Sequence, residues 1–573
     1  MNNALEFSDL KDMLNKSSEK YGSNPLFEVN GNIITHKKFK DNVDYLGTAL
    51  VNMGLKGKRI AVIGQNSYNW ELAYLSIVCG TGVVVPLDKL LPENELESLI
   101  KRSEVEAIFY DDKYEDCLKT ICNKDDNKLN TLISMGNLKK VECAQRESSL
   151  VEISEYNISE LIETGKASVS QGNKEFIDSK INPNEMTILL FTSGTTSKSK
   201  AVMLSHKNIC SNLFSVTSTI VEINDTDTFL SILPLHHVFE CTVGFLYPVS
   251  IGAKIVFGRG LKYIIEDLRD NKISVFMCVP AIYENIYKNF RKKFEKEGQL
   301  EALEKLEEKA KKCTMEERKV IFNQLHEKLG NNIKMLISGA AALDPEVEKG
   351  FRIWGLNLVQ GYGLTEASPV ISIETEQNYR LSSIGKALNG VKAKIINPDD
   401  DGVGELAVKG DNVMLGYLND EVATAKVLQN GWFCTGDLAR IDDDGFIYIC
   451  GRKKSVIVLK NGKNIFPEEM EKLINKIDGV RESFIFGKST NKSKDDIKLN
   501  VEIVYDENEV KDIYKITTVD EIYAKFQEKI KQVNNLMPSY KAIKGIVFSE
   551  EPLIKTSTNK IKRDENIARI NNF

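Results

Sequence analysis

The sequence predicts an α/β fold: a large N-terminal domain of layered sheets and helices with substantial parallel sheet, and a small mobile α+β C-terminal domain. A chain of 573 residues is longer than one hydrophobic core usually serves, so at least two domains are expected. Up to about residue 450, short apolar runs alternate with helical stretches. These runs lack polar alternation, which is typical of strands covered on both faces. After residue 450 the pattern changes to short strands and fewer helices.

The elements of the first part follow from these apolar runs. The most apolar stretch, 75–87, is interrupted by Gly80, Thr81 and Gly82, and this predicts a helix, a turn and a buried strand instead of a membrane span. Residues 290–330 carry Leu300, Leu303 and Leu306 at helical spacing among many Lys and Glu. They predict a solvated helical excursion, with a partner-facing or membrane-surface face as the alternative. The predicted buried strands are 59–64, 82–87, 229–234, 254–257, 275–280 and 333–338.

We place the large domain at residues 1–452 and the small domain at 453–573, with a hinge near Lys454. In the small domain, Asn461-Gly462 lies between two apolar segments and predicts a β-hairpin. Further strands are predicted at 483–486, 499–504 and 545–548, and helices at 468–477 and 519–533.

Composition excludes several classes of function. The chain has 76 basic and 82 acidic residues, a formal net charge of −6, which argues against nucleic-acid binding based on bulk charge. Ten cysteines are scattered without a Cys-x-x-Cys pair, and there are only five histidines, so neither a zinc site nor a disulfide frame is expected. We find no signal-peptide pattern and no long apolar span, so a cytoplasmic location is the expectation.

Residues 191–201, FTSGTTSKSKA, are the most informative segment. They follow the apolar run 188–190. Small hydroxylated residues leave backbone N–H groups free to bind oxyanions, and two lysines add positive charge, so the segment suggests a polyphosphate cradle. It is not the common nucleoside-triphosphate loop, because the fifth residue after Gly194 is Ser199 instead of Gly. Taken alone, the segment is equally compatible with a flexible surface turn.

Four further segments carry residue types that suit nucleotide chemistry. They are LPLHHVFE at 233–240, QGYGLTEA at 360–367, GWFCTGD at 431–437 followed by GRKK at 451–454, and TSTNKIK at 556–562. In this order, and together with 191–201, they resemble the adenylate-forming superfamily. The resemblance covers nearly the whole chain, and the segments 233–240 and 279–287 with the helical excursion most resemble long-chain acyl-CoA synthetases.

The resemblance implies that a carboxylate attacks the α-phosphate of ATP to give an acyl-adenylate and pyrophosphate, after which the acyl group passes to the thiol of CoA. ATP, Mg²⁺ and CoA are the implied cofactors and cosubstrate. Glu366 would hold Mg²⁺, Thr365 would contact the α-phosphate, and Asp437 with Arg452 would bind the ribose. Tyr362 would stack on adenine opposite Gly339 and Ala340, within a binding motif that includes Gln360 and Gly361. The β- and γ-phosphates would be held by Thr192, Ser193, Gly194, Thr195 and Thr196, with Lys200 nearby.

Two further catalytic residues are implied by the resemblance. Lys560 would stabilise the charge that develops between the carboxylate and the α-phosphate, and His237 would be the gate of the carboxylate pocket. The apolar surroundings of His237 favour a fatty acid, and peripheral membrane contact is a possible accompaniment. The alternatives are loading of an acyl carrier protein, activation of an aryl or other carboxylic acid, and a non-catalytic nucleotide-binding scaffold. The chain departs from the family pattern at Ser197, Ser199 and Ala201, where Gly, Pro and Gly are usual.

Overall fold

Sheet A forms the first layer of the large domain. The computed structural model describes residues 5–124, 127–136, 143–145, 152–192, 199–459, 463–490, 493–555 and 561–571. In sheet A, strand Arg59–Ile63 pairs in parallel with Val83–Leu87 and Ala107–Tyr110, while Met186–Thr192 and Lys200–Ser205 are antiparallel to each other. Its described strands, in spatial order, are Gly416–Tyr417, Lys200–Ser205, Met186–Thr192, Val83–Leu87, Arg59–Ile63, Ala107–Tyr110, Thr131–Ser134, Glu152–Asn157 and Cys143–Gln145.

Sheet B forms the second layer. It is parallel from its first strand to Leu358–Gly363 and antiparallel beyond that strand. The carboxyl ends of parallel strands lie along one edge of a sheet, so the segments that follow these strands are brought together there. Its described strands, in spatial order, are Lys254–Phe257, Thr228–Ser231, Val275–Cys278, Met335–Ser338, Leu358–Gly363, Val370–Ile373 and Lys386–Ala387.

A continuous hydrophobic core joins sheets A and B. It contains Ile60 and Val84 from sheet A, Val275 and Ile337 from sheet B, and the fully buried Trp70 from the helix between them. The serine before that helix, Ser67, caps its first turn by accepting from the Trp70 N–H at 3.3 Å. The helices of the large domain are Leu10–Tyr21, His36–Asn52, Tyr68–Val78, Glu93–Ser103, Glu115–Cys122, Ile158–Ser170, His206–Thr219, Tyr247–Ile251, Ile264–Asp270, Pro280–Lys296, Leu300–Ala310, Met315–Ile321, Asn323–Lys328, Pro345–Ile353 and Glu421–Val427.

Sheet C closes the large domain and leads into the small one. Its strands are Lys392–Ile396, Gly404–Lys409, Trp432–Ile441, Leu428–Gln429 and Ile447–Arg452. The small domain has its own core, in which Ile465, Val501 and Phe526 are fully buried. Its strands are Ile457–Val458, Asn464–Ile465, Val480–Thr490, Ser493–Tyr505 and Gly545–Ser549, and its helices are Pro467–Ile474, Glu507–Tyr514, Val519–Asn535 and Arg563–Asn571.

The fold class predicted from the sequence is confirmed. Each of the six predicted buried strands is present in sheet A or sheet B, all in parallel pairs. The segments on either side of Asn461-Gly462 pair as an antiparallel hairpin, Ile457–Val458 with Asn464–Ile465, although the turn itself, 460–462, lies outside the described residues. Within the described ranges, every helix is too short or too polar to cross a membrane.

The helical excursion at 290–330 is also confirmed, and it has a buried side. Leu303 is 0% exposed and packs with Phe322 and Trp354 in a core on the outer face of sheet B. The indole N–H of Trp354 donates to Glu307 at 2.9 Å, and Glu307 also accepts two bonds of 2.8 Å from Arg291. The excursion is thus fixed to the domain by one apolar row and one buried polar cluster.

Truncation of Leu303 tests this packing. We expect Leu303→Ala to lower the free energy of unfolding of the large domain by about 2–5 kcal/mol, because it leaves a cavity in a closed core. Leu306→Ala, on the same helix but 39% exposed, should change it by less than about 1 kcal/mol. Urea unfolding followed by tryptophan fluorescence measures both. Equal losses from the two variants would contradict the packing described.

Candidate functional site

The best-defined cluster of candidate residues is Tyr362, Asp437 and Arg452. Asp437 and Arg452 lie directly opposite each other on two antiparallel strands of sheet C, and Tyr362 lies near the end of strand Leu358–Gly363. The Tyr362 hydroxyl donates to Asp437 Oδ2 at 2.5 Å, and Arg452 Nε lies 2.6 Å from Asp437 Oδ1. Burial and the neighbouring Asp437 charge raise the pKa of the Tyr362 phenol well above its ordinary value, so it stays a donor. Three segments distant in sequence therefore meet at one buried carboxylate.

A second cluster joins Glu366, Tyr417 and Lys200. Glu366 lies in the single 3₁₀ turn Thr365–Ala367, and its Oε1 accepts from the Tyr417 hydroxyl at 2.9 Å. The Lys200 ammonium lies 4.3 Å from the centre of the Tyr417 ring. Burial, followed by the Glu366 charge, raises the pKa of Tyr417. A carboxylate is thus held at the hydroxyl of Tyr417 and a cation over the ring of the same residue. Thr365 lies in the same turn as Glu366.

Two glycines are required by close approach of the backbone beside these clusters. A Cβ on Gly363 would lie 2.1 Å from the Pro369 carbonyl oxygen, and a Cβ on Gly339 would lie 2.7 Å from the Phe239 ring. Gly339 directly follows strand Met335–Ser338, and Ala340 after it has a left-handed φ of +69°. Strands Met335–Ser338 and Leu358–Gly363 are neighbours in sheet B. Segment 339–343, which follows the first strand, therefore lies beside the end of the second.

Gln360 has a different environment from that of its neighbours. It is 5% exposed, and its side chain bonds to Leu343 N–H and to the Glu348 carboxylate instead of being free for a ligand. Gly361, the next residue, is half-buried and has no side chain that such bonds could hold.

Most of the predicted phosphate loop lies outside the described residues. This applies to Ser193, Gly194, Thr195 and Thr196. On its N-terminal flank, Thr192 ends a strand of sheet A, with its hydroxyl 3.5 Å from the Lys200 carbonyl. On the other flank, Ser199 accepts from Arg102 through its hydroxyl at 3.0 Å and its carbonyl at 2.5 Å.

The His236-His237 segment is held by a chain of polar contacts. Asn66 donates to the Leu233 carbonyl at 2.6 Å and to Ser231 at 3.0 Å, and Ser231 donates to the fully buried Glu240 at 2.6 Å. The two imidazole rings are 4.1 Å apart between their centres, and His236 Nε2 lies 3.5 Å from Asp88 Oδ1. His237 is half-buried at this position. Burial raises the pKa of Glu240 to about 8, so the carboxyl is mostly neutral at neutral pH.

Lys560 belongs to segment 556–560, which lies outside the described residues, but both flanks of that segment are fixed. Buried Asn566 accepts from the Ile554 N–H at 3.0 Å and donates to the carbonyls of Ile554 and Lys562 at 2.9 and 2.8 Å. Arg563 makes two bonds to the Glu471 carboxylate, at 2.9 and 2.7 Å. The two flanks of segment 556–560 are therefore anchored to each other by the side chain of Asn566.

Arg452 is also the last strand residue before the predicted hinge. Lys453 and Lys454 follow it in one 3₁₀ turn and are exposed, and Lys453 Nζ lies 2.8 Å from Glu405 Oε2 on sheet C. The pair Asp437–Arg452 therefore ends where the predicted small domain begins.

Sequence reasoning missed three residues that contact the candidates: Tyr417, Arg102 and Asp88. Tyr417 follows a glycine in a short strand, and Arg102 lies in an ordinary amphipathic helix. Neither carries a local signal, because each meets its partner only through the tertiary fold: Tyr417 meets Glu366, which follows a strand of sheet B, and Arg102 meets Ser199, which precedes a strand of sheet A. Asp88 directly follows the buried strand Val83–Leu87. This position after a parallel strand is the one sequence feature that could have indicated Asp88 as a site residue.

A family model for the AMP-binding enzymes matches residues 14–418, and a model for the C-terminal domain of these enzymes matches residues 454–572. Together with the α/β architecture and the two clusters above, these matches show that the chain belongs to the AMP-binding enzyme family, the adenylate-forming class.

Among curated proteins, the chain is 26% identical over 517 residues to a long-chain-fatty-acid–CoA ligase of Escherichia coli O6:H1, covering 87% of this chain and 86% of that protein. It is 26% identical to the Salmonella typhimurium ligase of the same name, covering 98% and 95%. It is 27% identical to long chain acyl-CoA synthetase 4 of Arabidopsis thaliana, covering 83% and 76%.

Solved structures share the fold at lower identity. ATP-bound MatB from Rhodopseudomonas palustris superposes with a TM-score of 0.74 at 21% identity, covering 98% of this chain and 99% of that one. O-succinylbenzoate CoA synthetase from Bacillus subtilis, in complex with ATP and magnesium, gives 0.72 at 19% identity, covering 97% and 99%. An anthranilate CoA ligase in complex with anthranoyl-AMP gives 0.75 at 17% identity, covering 98% and 97%.

The Tyr362–Asp437 bond allows a test of this cluster. We expect Tyr362→Phe to weaken AMP binding by about tenfold or more, because a hydrogen bond to a buried carboxylate is worth ~1.5–3 kcal/mol. Tyr448→Phe is the matched control, since Tyr448 also donates to an aspartate, Asp442, at 3.1 Å but on the exposed end of the same strand pair. Calorimetric titration with AMP measures both affinities. Equal affinities for wild type and Tyr362→Phe would show that this bond has no part in nucleotide binding.

Proposed function

We propose that this protein activates a fatty acid with ATP, forming an acyl-adenylate and releasing pyrophosphate, and then transfers the acyl group to CoA with release of AMP. The single observation that carries the proposal is the nearly buried Asp437 carboxylate held between Tyr362 and Arg452. An anion in this position is costly unless its acceptor capacity is used, and two ribose hydroxyls are suitable donors.

The adenine would lie between the Tyr362 ring and the backbone of 339–340. The bond to Asp437 fixes the tilt of the Tyr362 ring, and the close contact of Gly339 with Phe239 leaves a flat backbone surface on the other side. A planar base suits such a slot, because stacking needs one flat face on each side. The Asp437 carboxylate next to the ring then selects a sugar with free hydroxyls.

The residues around Glu366 suit a magnesium ion bound to ATP. Mg²⁺ takes oxygen ligands and commonly uses one or two carboxylates plus phosphate oxygens and water. The Tyr417 hydroxyl bonds one oxygen of the Glu366 carboxylate at 2.9 Å, which orients the group and leaves acceptor positions on it. When bound, the ion would supply charge neutralisation for the phosphates. Lys200, whose ammonium lies over the Tyr417 ring, would add a second positive charge.

Catalysis by this site would be mainly positioning and charge neutralisation, because two anions must approach each other. Thr365 and Glu366 share a 3₁₀ turn whose geometry is set by the Glu366 carbonyl accepting from Met414 N–H at 2.9 Å. Lys560 would provide the positive charge between the carboxylate and the α-phosphate. Its anchored flanks at Ile554 and Lys562 would allow the loop to be presented in one place.

The fatty acid is the finer part of the proposal, and it is supported by the names of the curated relatives and by the apolar residues near His237. Phe239 packs against Gly339 at the inner end of the loop, and residues 240–246 form a fully buried helical segment. His237 would mark the entrance of the acid toward the phosphates. CoA as acceptor is likewise supported by the relatives' names.

The substrate is tested by CoA-dependent AMP release over short-, medium- and long-chain fatty acids, with benzoate and anthranilate as aryl controls. We expect long-chain acids to give the highest kcat/KM, and aryl acids to be lower by at least about two orders of magnitude, since each buried methylene contributes ~0.8 kcal/mol. Holo-acyl carrier protein replaces CoA in a parallel series. Faster acyl transfer to the carrier protein than to CoA, or a preference for an aryl acid, would contradict the assignment of fatty acid and CoA as substrates.

Lys560→Ala separates the two half-reactions. We expect the rate of acyl-adenylate formation to fall by about 10²–10³-fold or more, because a charge aimed at the transition state is lost. Thioester formation from supplied acyl-adenylate should be largely spared. Lys562→Ala is the control, since Lys562 forms an ion pair with Glu565 at 3.1 Å. Normal ATP–pyrophosphate exchange in Lys560→Ala would refute the role of Lys560.

A further inference from the structure

A buried polar cluster lies beneath the proposed adenine slot. It consists of Gln360, Glu348, Glu374 and Ser383, none of them more than 5% exposed. Glu348 lies on helix Pro345–Ile353, Glu374 follows strand Val370–Ile373, and Gln360 lies on the strand between them in sheet B. Carboxyl groups this deeply buried are kept only where specific bonds hold them.

Gln360 is the centre of this cluster. Its Oε1 accepts from Leu343 N–H at 3.1 Å, and its Nε2 donates to Glu348 Oε2 at 3.0 Å and lies 3.4 Å from the Ser383 carbonyl. Its own N–H donates to Glu374 Oε2 at 3.1 Å. One residue thus joins the two walls of the proposed slot, segment 339–343 and the strand that continues to Tyr362, to two buried carboxyl groups: Glu348 through its side chain and Glu374 through its backbone N–H.

The bonds of the two carboxyl groups show where a proton lies. Glu374 accepts from Gln360 N–H, from the Ser383 hydroxyl at 3.1 Å and from Arg380 N–H, so its environment favours the ionised form. Glu348 has fewer such donors: its Oε2 accepts from Gln360 Nε2 and the Ser382 N–H also favours its ionised form, whereas its second oxygen, Oε1, is buried without a hydrogen-bond partner among the described residues. Two adjacent buried charges repel, and a proton on Glu348 would remove this repulsion and give Oε1 an acceptor in Glu374.

We propose that Glu348 and Glu374 share one proton and that this neutralised pair acts through Gln360 as the positioning element that holds the two walls of the nucleotide slot together. The inference rests on the proposed function, because it treats these walls as the adenine site. None of the three residues contacts the reacting atoms; Gln360 positions Leu343 on one side and the Gly361–Tyr362 backbone on the other.

The surrounding charges are consistent with one proton in the pair. Burial, followed by the charge of Glu374, raises the pKa of Glu348 to about 9, against the lowering effects of the Ser382 N–H and of Arg352 one turn along the same helix. Burial also raises the pKa of Glu374, against the hydrogen bonds that lower it. Arg352 is turned to the Tyr379 ring, 3.7 Å from its centre, and to the Leu358 carbonyl at 3.2 Å. Burial raises the pKa of Tyr379, and the exposed Glu376 and Arg380 complete the charged groups around the pair.

The pH dependence has a definite sign. In the folded protein Glu348 keeps its proton up to about pH 9, whereas in the unfolded chain it loses it near its ordinary value. The folded state therefore binds more protons between these values, and the free energy of unfolding falls as pH rises through this window. Loss of the proton near the upper end would place two charges beside Gln360 and loosen the slot.

The test is the Kd of AMP, measured by calorimetry from about pH 7 to about pH 10 in the absence of any acid. We expect the wild-type Kd to rise about tenfold over this range, as the proton leaves the pair. Glu348→Gln should show no such rise relative to its own value at neutral pH. Its amide oxygen can accept from Gln360 and its amide nitrogen can donate to Glu374, without a titrating proton.

Two further variants complete the design. Gln360→Met is similar in volume but lacks the amide group. It should raise the Kd of AMP about tenfold at every pH, because the side-chain bonds to the Leu343 N–H and to Glu348 are lost. Glu346→Gln, on the exposed side of the same helix, should keep the wild-type profile. Circular dichroism and the thermal midpoint at neutral pH check that each variant is folded, so a loss of binding cannot be confused with a loss of structure.

The outcomes separate this inference from the proposed function. An alkaline rise in Kd that persists in Glu348→Gln, or wild-type AMP affinity in folded Gln360→Met, would overturn the inference while leaving adenylate formation intact. A wild-type protein that binds neither AMP nor ATP would overturn both. Loss of the alkaline rise in Glu348→Gln alone, with the Glu346→Gln profile unchanged, would establish the shared proton.

Discussion

The buried Asp437 carboxylate is the constraint around which the candidate site is built. A charge removed from water must be compensated by close partners, and Asp437 has Arg452 at 2.6 Å and Tyr362 at 2.5 Å. Arg452 must then stay at the end of its strand, opposite Asp437 in register. Tyr362 must reach sheet C from the last parallel strand of sheet B. The relative position of these two sheets is therefore fixed by the same atoms that we propose bind the ribose.

Further acidic groups lie in the interior of the large domain, away from solvent. Glu240, 0% exposed, is bonded through Ser231 to Asn66, which holds the backbone before His236. The pair Glu348 and Glu374 is bonded through Gln360 to the backbone on both sides of the adenine slot. In both cases a neutralised or shared-proton carboxyl supports a loop at the carboxyl edge of sheet B. A loop that follows a parallel strand has few backbone partners of its own, and these buried acids supply them.

The part of the structure that sequence could predict is the part set by local pattern. Apolar runs without alternation gave the central strands of both sheets, and Asn461-Gly462 gave the hairpin, because periodicity and turn chemistry act over a few residues. The candidate residues Tyr362, Asp437 and Arg452 came from the resemblance of several motifs, taken together and in order, to the adenylate-forming superfamily. The pairing of Glu366 with Tyr417 could not be found, because 51 residues separate them and neither has a local signal for the other. Gln360 shows the same limit: the motif indicated a binding residue, whereas its side chain donates to Glu348 and its backbone N–H donates to Glu374, two buried acids that lie elsewhere in the sequence.

One ion pair between the two domains is weak enough to suit the predicted reorientation of the small domain. Lys476 of the small domain lies 2.8 Å from Asp344, which also caps helix Pro345–Ile353 by accepting from the Glu346 N–H at 2.9 Å. Both side chains of the ion pair are partly exposed, at 50% and 22%, so the pair contributes at most about 1 kcal/mol. The Asp437–Arg452 pair next to the predicted hinge is far better shielded on its aspartate side. A small domain that changes position would therefore break the exposed pair at little cost and leave the shielded one in place. Asp344 caps helix Pro345–Ile353, and the same helix carries Glu348, which is bonded to Gln360. The proposed nucleotide slot and the ion pair between the domains are thus joined by one helix, and a change at Lys476 would act on the residue that caps it.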